Sequence, residues 1–500
     1  MAQFPQKITI AVLTDVHYGA GSTIAQRRSE IADILLLRAV HRLNRLIHPD
    51  ITVVLGDLVD DGASPDTPQR LASVREILDV LISPHIVIPG NHDGDTDAFY
   101  RVFDRPEEIV DIGGVRFLPF IDQEEPGYNA SRCRRDIQRL RRARAETTGP
   151  IVALQHVCLT PPNQTDSPYN YTNAPEIIEA MGDAGVELSI SGHHHAGAPL
   201  VKNGTTSFVT APSLCEAPFL FVTVTLDQGQ VTLERHQLAM PEHLGLVDRH
   251  VHTQLAYCSE DMRVDRAIAL AKDFGLAGIG FSEHSGQLYF DRDGYWDWWG
   301  QWAHVGLAGA RDQDYRVPAY LDLKQRYQAE GVAFGVEADI DYHGNLILRP
   351  EDRSHFDHIL GAIHRTPSLR RPPPPCETLE AEFMVLLERL LGHDIDVLAH
   401  LFRLFRRSGY GPPEKLFRPT AELLQQHDIA VEINYHTNEP PIEFIRMCLD
   451  LDVKFSFGGD AHNLYEIGEF ADHLKLLTDA GFDGDLADIL CHLNYRARNG

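Results

Sequence analysis

Residues 8–17 read Ile-Thr-Ile-Ala-Val-Leu-Thr-Asp-Val-His, and residues 51–60 read Ile-Thr-Val-Val-Leu-Gly-Asp-Leu-Val-Asp. Each opens on a short apolar, β-branched-rich run and closes on groups able to hold a metal: Asp15 and His17 after Ile8–Leu13, Asp57 and Asp60 after Ile51–Leu55. Three later runs end alike. His85–Pro89 leads into Gly90-Asn91-His92-Asp93, Ile151–Leu154 into His156, and Leu188–Ser191 into Gly192-His193-His194-His195. Such runs alternating with helical stretches argue for βα units and mainly parallel sheets. In open α/β sheets ligands bind beyond the carboxyl ends of the strands, so these five ends are expected to converge. The glycines let the chain turn sharply there. Histidine and carboxylate ligands arriving from several points suit a pair of divalent ions, which clamp the attacking and leaving oxygens of a displacement at phosphorus. Singly, an Asp-x-His is a turn or cap, and a lone histidine a core residue. Chance is a poor account of the ordered set of five.

The strand pattern continues with Ser207–Thr210, Phe219–Thr225 and Val231–His236, which reads as a meander closing a domain near residue 240. A second series runs through Gly278–Phe281, Ala333–Val336, Ile359–Ile363, Val397–Ala399, Ala430–Ile433 and Lys454–Phe457, with helices such as Val264–Phe274 between. Six or seven such units point to a barrel-like α/β arrangement. At 500 residues the chain exceeds what one core usually supports. The expected domains are residues 1–240 and 246–500, both α/β. Arg370–Pro375 reads as a stiff surface loop, and the arginine-rich Arg132–Arg144 as a solvated helix face or an anionic-ligand patch.

Acidic residues outnumber basic ones 72 to 45, for a formal charge of −27. That surface repels polyphosphate chains and argues against nucleic acid as a partner, while leaving room for a small phosphorylated substrate. The 7 cysteines are odd in number and scattered, so a reducing, cytoplasmic setting is expected. Met1–Lys7 lacks the features of a secretory leader, and no apolar run is long enough for a membrane span. Oligomeric state is not legible.

The motif set Asp-x-His, Gly-Asp-x-x-Asp, Gly-Asn-His-Asp, a later His and Gly-His-x-His resembles the calcineurin-like metallophosphoesterase family over roughly residues 6–240. The resemblance implies an α/β metallophosphoesterase sandwich. It also implies that Asp15, His17 and His195 hold one metal, Asn91, His156 and His193 another, and that Asp57 bridges them. His92 would be the non-ligand histidine that stabilises the transition state or protonates the leaving oxygen, with a metal-activated hydroxide as nucleophile. His194 is expected to face outward or to support a ligand. Asp60 and Asp93 either orient histidines or form turns.

A similar arrangement recurs downstream. His250 and His252, His284, Glu337, His364, His400, and Asp460 with His462 again sit at ends of expected strands, as in barrels whose sites form at the carboxyl rim. Eight such positions exceed the needs of one ion, so two or three metals are implied. This half resembles the PHP (polymerase and histidinol phosphatase) domain over about residues 246–500, which implies a distorted (β/α)7 barrel with a trinuclear site. By that resemblance His250, His252, Glu337 and Asp460 hold one metal, Glu337 bridges to a second held by His364 and His400, and His284 and His462 bind the third. Cys258 stands where some members place a His or an acid. It is a third-metal ligand or an inert buried thiol, with Glu260 and Asp261 as alternative donors. Arg365 and Arg403 fork onto a substrate phosphate or, the favoured role, make surface salt bridges. Glu432 and Asn434 are assigned behind the ligands.

The leading expectation is a bifunctional phosphoric ester hydrolase, acting on diesters, monoesters or both, with divalent manganese, iron or zinc. The alternatives are a nuclease or DNA-end processing enzyme, and a chain in which one half is a regulatory ligand-binding module.

Overall fold

The computed structural model describes residues 7–145, 147–296 and 300–491. The opening segment 1–6, on which the leader expectation rests, lies outside them. The chain divides into two compact units, one ending at Ala239 and the other beginning at Met240.

In the first unit Ile8–Leu13, Ile51–Leu55 and His85–Ile88 pair in parallel, in that order. Alternate side chains face one core: Ile8, Ile10 and Val12, then Ile51, Val53 and Leu55, then Ile86 and Ile88. The residues between, such as Ala11, Val54 and Val87, are buried too. Covered on both faces, these strands read as continuous apolar runs. A second, six-stranded sheet contributes Val152, Leu154, Leu188 and Ile190 to the same core. Helices Arg134–Arg142 and Ala174–Ala184 cover its other face through Ile137, Leu140, Ile177 and Met181. The unit is a two-sheet α/β sandwich.

Two details depart from the expectation. Thr206–Thr210 pairs in parallel with Leu188–Ser191 in the second sheet, whereas Leu220–Asp227 and Gln230–Gln237 form a hairpin antiparallel to Ile8–Leu13 in the first. The three runs are therefore no meander; alternation marks a strand but not the sheet it joins. The strand Val115–Pro119 is hidden in the sequence by Arg116. That guanidinium is buried within a strand because it bonds Asp111 and the carbonyls of Ala143 and Ala145. The arginine-rich stretch is not a wholly solvated face. Arg132 and Arg139 each lie 3.9 Å over the Phe120 ring, while Arg134, Arg135, Arg141 and Arg142 are exposed.

The second unit holds seven strands paired in chain order, all parallel: Val247–Val251, Gly278–His284, Val332–Asp339, Ile359–Ala362, Val397–Leu398, Ala430–Asn434 and Phe455–Gly458. Helix Val264–Asp273 buries Val264, Ala267, Leu270 and Ala271, the spacing of one helical face. The sheet curls until its edges meet. Ala461 donates its amide to the His250 carbonyl, and His252 donates to the Ala461 carbonyl, both at 3.1 Å. That seam nearly closes a (β/α)7 barrel, and it runs through two of the metal-type motifs. No helix among the described residues is long and apolar enough to cross a membrane.

Candidate metal centres

The five strand ends of the first unit meet. Asp15, His17, Asp57 and His193 all take positive φ, at 54°, 50°, 51° and 66°. Non-glycine residues adopt that region at a cost of about 1–3 kcal/mol each and cluster at functional sites. Asp57 Oδ2 lies 3.6 Å from His17 Nε2 and 3.3 Å from His156 Nε2, while its other oxygen accepts from the His92 amide at 2.8 Å. It stands between two groups. In one, His17 Nε2 and His195 Nε2 are 3.1 Å apart, with Asp15 Oδ1 at 3.9 and 3.4 Å from them. In the other, His156 Nε2 is 3.1 Å from both Asn91 Oδ1 and His193 Nδ1.

The nitrogens that point inward are identified by what holds the other side of each ring. His195 Nδ1 lies 2.6 Å from Glu216 Oε1, His156 Nδ1 2.6 Å from the Leu55 carbonyl, and His193 Nε2 3.0 Å from the Tyr128 carbonyl. His17 Nδ1 is 3.4 Å from Asp60 Oδ1, which Arg27 steadies at 2.9 Å. The far nitrogens of His195, His156 and His193 each have an acceptor, so in the neutral ring the near one carries a lone pair toward the centre. Asp15 Oδ1 is buried there without a hydrogen-bond partner. Converging lone pairs and an orphaned carboxylate oxygen fit a pair of dications.

Asp60 thus acts on His17, and its carbonyl accepts from His92 Nδ1 at 2.7 Å. Asp93 instead accepts from the amides of Leu58, Val59 and Gly90, tying two loops together. His194 is half-buried with its ring 6.4 Å from Tyr169. Of two motif glycines, Gly56 does turn the chain, at φ 89°. Gly90 serves close approach: a Cβ there would lie 2.3 Å from Asp57 Oδ1. The cavity over this centre, about 560 Å³, is lined by Asn91, His92, Glu124, Glu125 and Tyr128 among others.

In the second unit Glu337 is central. Its Oε1 lies 2.5 Å from His400 Nε2 and 3.3 Å from His364 Nε2, while Oε2 faces His250 Nε2 at 3.7 Å and touches His284 Nδ1. Asp460 Oδ1 is 3.0 Å from His252 Nε2 and 3.5 Å from His250 Nε2. The His252 ring stacks 4.1 Å from His284 and lies 4.3 Å from His462, so His252 stands with the third-metal pair as well as with the first group. Glu337 Oε2 and His250 Nε2 are buried without hydrogen-bond partners, which again fits a metal cluster. Cys258 Sγ comes to 3.5 Å from His284 Nε2. Glu260 and Asp261 are exposed, the latter paired with Arg266 at 2.6 Å.

The favoured surface role of Arg403 is overturned. It is 4% exposed, donates through Nη1 to Asp460 Oδ2, and lies through Nη2 2.9 Å from His364 Nε2. Arg365 lines the cavity above the cluster. The supporting acids were partly missed. Glu432 accepts from His250 Nδ1 at 2.7 Å and from the His400 amide. Asp339 holds His364 Nδ1 at 2.5 Å, and Glu283 faces His252 Nδ1 at 3.4 Å. Asp339 was findable, since it shares a strand face with Glu337 two residues earlier. Glu216 follows no apolar run and leaves no such mark.

Burial alone would depress the histidines, and the carboxylates outweigh it for some. Asp57 carries His156 up to about 10 and Asp15 and Glu216 carry His195 up to about 9, while burial and then the neighbouring His156 take His193 down to about 4. In the barrel, Asp339 and Glu337 overcome burial to raise His364 to about 9, and Asp460 and Glu283 do the same for His252.

Residues 8–197 match the family model described as calcineurin-like phosphoesterase, and residues 248–436 the model described as PHP domain. The first match spans every ligand candidate of its centre, whereas Asp460 and His462 lie beyond the second. No curated protein matches the chain. Among solved structures it is similar to a dimetal phosphatase from Danio rerio, at 16% identity and TM-score 0.39 over 46% of this chain and 96% of that one. It is also similar to a purple acid phosphatase from seeds of yellow lupin, Lupinus luteus, at 13% identity and TM-score 0.36 over 47% of this chain and 52% of that one. Motifs, sheets and family models agree: the chain joins a calcineurin-like phosphoesterase domain to a PHP domain.

Proposed function

We propose that the chain hydrolyses small phosphate esters at two separate metal centres, diesters in the first unit and monoesters in the second. One observation carries the reading. Asp57 and Glu337 are each a fully buried carboxylate set between two groups of histidines whose inward nitrogens converge. Divalent manganese, iron or zinc held there would lower the pKa of a bound water and neutralise phosphoryl charge. The chain's own groups do the rest. Asp60 holds His92 through Nδ1, which aims its other nitrogen, and its imidazolium form would donate from there to the leaving oxygen. Arg403, buried beside His364, supplies a planar fork for the phosphoryl oxygens.

Charge supports the division of labour. A monoester dianion needs more positive charge than a diester monoanion. Arg365 and Arg403 line the second cavity, while Glu124 and Glu125 line the first and disfavour a dianion.

The test uses the manganese-loaded full chain, with bis(p-nitrophenyl) phosphate as the diester and p-nitrophenyl phosphate as the monoester. Asp57→Asn should lower diester turnover by at least about 100-fold and leave the monoester, and Glu337→Gln should do the reverse. If either variant abolished both activities, two independent centres would be refuted.

A further inference from the structure

The cavity over the second centre has a charge opposite to that of the chain. The chain carries 72 acidic residues against 45 basic ones. This cavity, about 890 Å³, is lined by Arg365, Arg370, Arg371, Arg403 and Arg407 and, among the described residues, by no Asp or Glu. Arg403 is paired with Asp460 and Arg407 with Thr437, yet all five arginines face a cavity whose described lining brings no carboxylate, which suits anionic charge.

The five divide by position. Arg403 lies against His364 and Asp460 and so belongs to the metal end, and Arg365 is the chain neighbour of His364. Arg407 lies one turn further along the helix Arg403–Arg407, with its Nη2 2.8 Å from Thr437 Oγ1. Arg370 and Arg371 come from the proline-rich loop, whose Pro373 also lines the cavity. A phosphoryl group engages a guanidinium through two parallel bonds, so one group at the metals accounts for Arg365 and Arg403 but not for the other three. The volume exceeds what one phosphoryl group fills and lies within the range of sites for whole small molecules, about 300–1,000 Å³. Tyr295 and Trp302, stacked at 5.7 Å with 17° between their planes, add an uncharged wall.

We propose that the substrate of the second centre is a small molecule with two phosphoryl groups, one at the metal cluster and the other held by Arg370, Arg371 and Arg407. The inference rests on the monoesterase reading of this centre and adds its substrate class. Water adds its oxygen to phosphorus, the ester P–O bond breaks, and the proton passes to the departing oxygen. The products are inorganic phosphate and an alcohol that keeps the second phosphoryl group.

The experiment measures binding to the metal-loaded full chain by calorimetry, with butane-1,4-diphosphonate against butylphosphonate. The diphosphonate should bind at least about 30-fold more tightly, and that preference should fall below about 3-fold in the Arg370→Ala/Arg371→Ala variant. Arg407→Gln, a single change on another element, should reduce it independently. Equal binding of the two probes in the unmodified chain, or a preference that survives both variants, overturns the inference. Phosphate release from butane-1,4-diol bisphosphate and butyl phosphate separates the two claims. If neither is hydrolysed while the preference stands, the monoesterase reading fails and the second anion site holds.

Discussion

Arg403 Nη2 lies 2.9 Å from His364 Nε2, the same nitrogen that faces Glu337 at 3.3 Å. A guanidinium thus stands where a metal would meet that nitrogen, and its other arm holds Asp460. Were a metal held by these ligands, Arg403 would be released from His364 and Asp460 and its fork would be free for substrate. Arg403→Ala should therefore keep the bound metal at or above the unmodified level, while kcat/KM for the monoester falls about 100- to 1,000-fold. Arg403→Lys should not rescue it, because an ammonium lacks the planar fork. Metal content by emission spectroscopy with steady-state kinetics checks both; loss of metal in Arg403→Ala would contradict the account.

Gly90 packs against Asp57, the carboxylate between the two ligand groups of the first centre. A methyl group there would sit 2.3 Å from Asp57 Oδ1 and 2.8 Å from His156 Cε1, so Asp57 must move. Misplacement of about 1 Å costs on the order of 100-fold. Gly90→Ala should lose diester turnover by that factor and keep monoester turnover, read side by side on the two p-nitrophenyl esters.

Glu216 belongs to none of the strand-end motifs, yet it holds His195 Nδ1 at 2.6 Å. Removing such an acceptor weakens metal binding by about 10- to 100-fold. Glu216→Ala should show that loss in a manganese titration of the diester activity, and excess manganese should restore most of the rate. A rate that stayed low at saturating metal would place Glu216 elsewhere in the mechanism.

The raised histidines set a pH dependence. His156 at about 10 and His195 at about 9 hold protons that a metal must displace. Apparent metal affinity should rise with pH up to about 9, with protons released on loading. For the chelated chain the sign is the reverse. A histidine whose folded pKa exceeds about 6.5 contributes stability below that value and loses it as pH climbs through the folded pKa. The melting temperature of the chelated chain should therefore fall between about pH 7 and 10, while the loaded chain holds level. Calorimetry in buffers of different ionisation enthalpy counts the protons, and thermal scans read the stability.

Much of this was open to reading because it is local. An apolar run followed at once by Asp15, Asp57 or His364 needs only neighbours in sequence to be seen, and a parallel sheet presents such ends together. Val115–Pro119 escaped because the partners of Arg116 lie in other segments. Arg403 escaped because nothing in Phe-Arg-Leu-Phe-Arg-Arg tells a surface helix from one whose first residue enters a barrel mouth.

The sequence alone determined which residues could hold metal and that each would sit at the end of a strand, since apolar periodicity and ligand chemistry are properties of short stretches. Only the tertiary structure decided how they are held. Glu432 reaches His250 across 182 residues, and the seam from Val251 to Ala461 brings Asp460 to the first histidines. Such bonds depend on chain closure and shared burial, which no window of sequence contains.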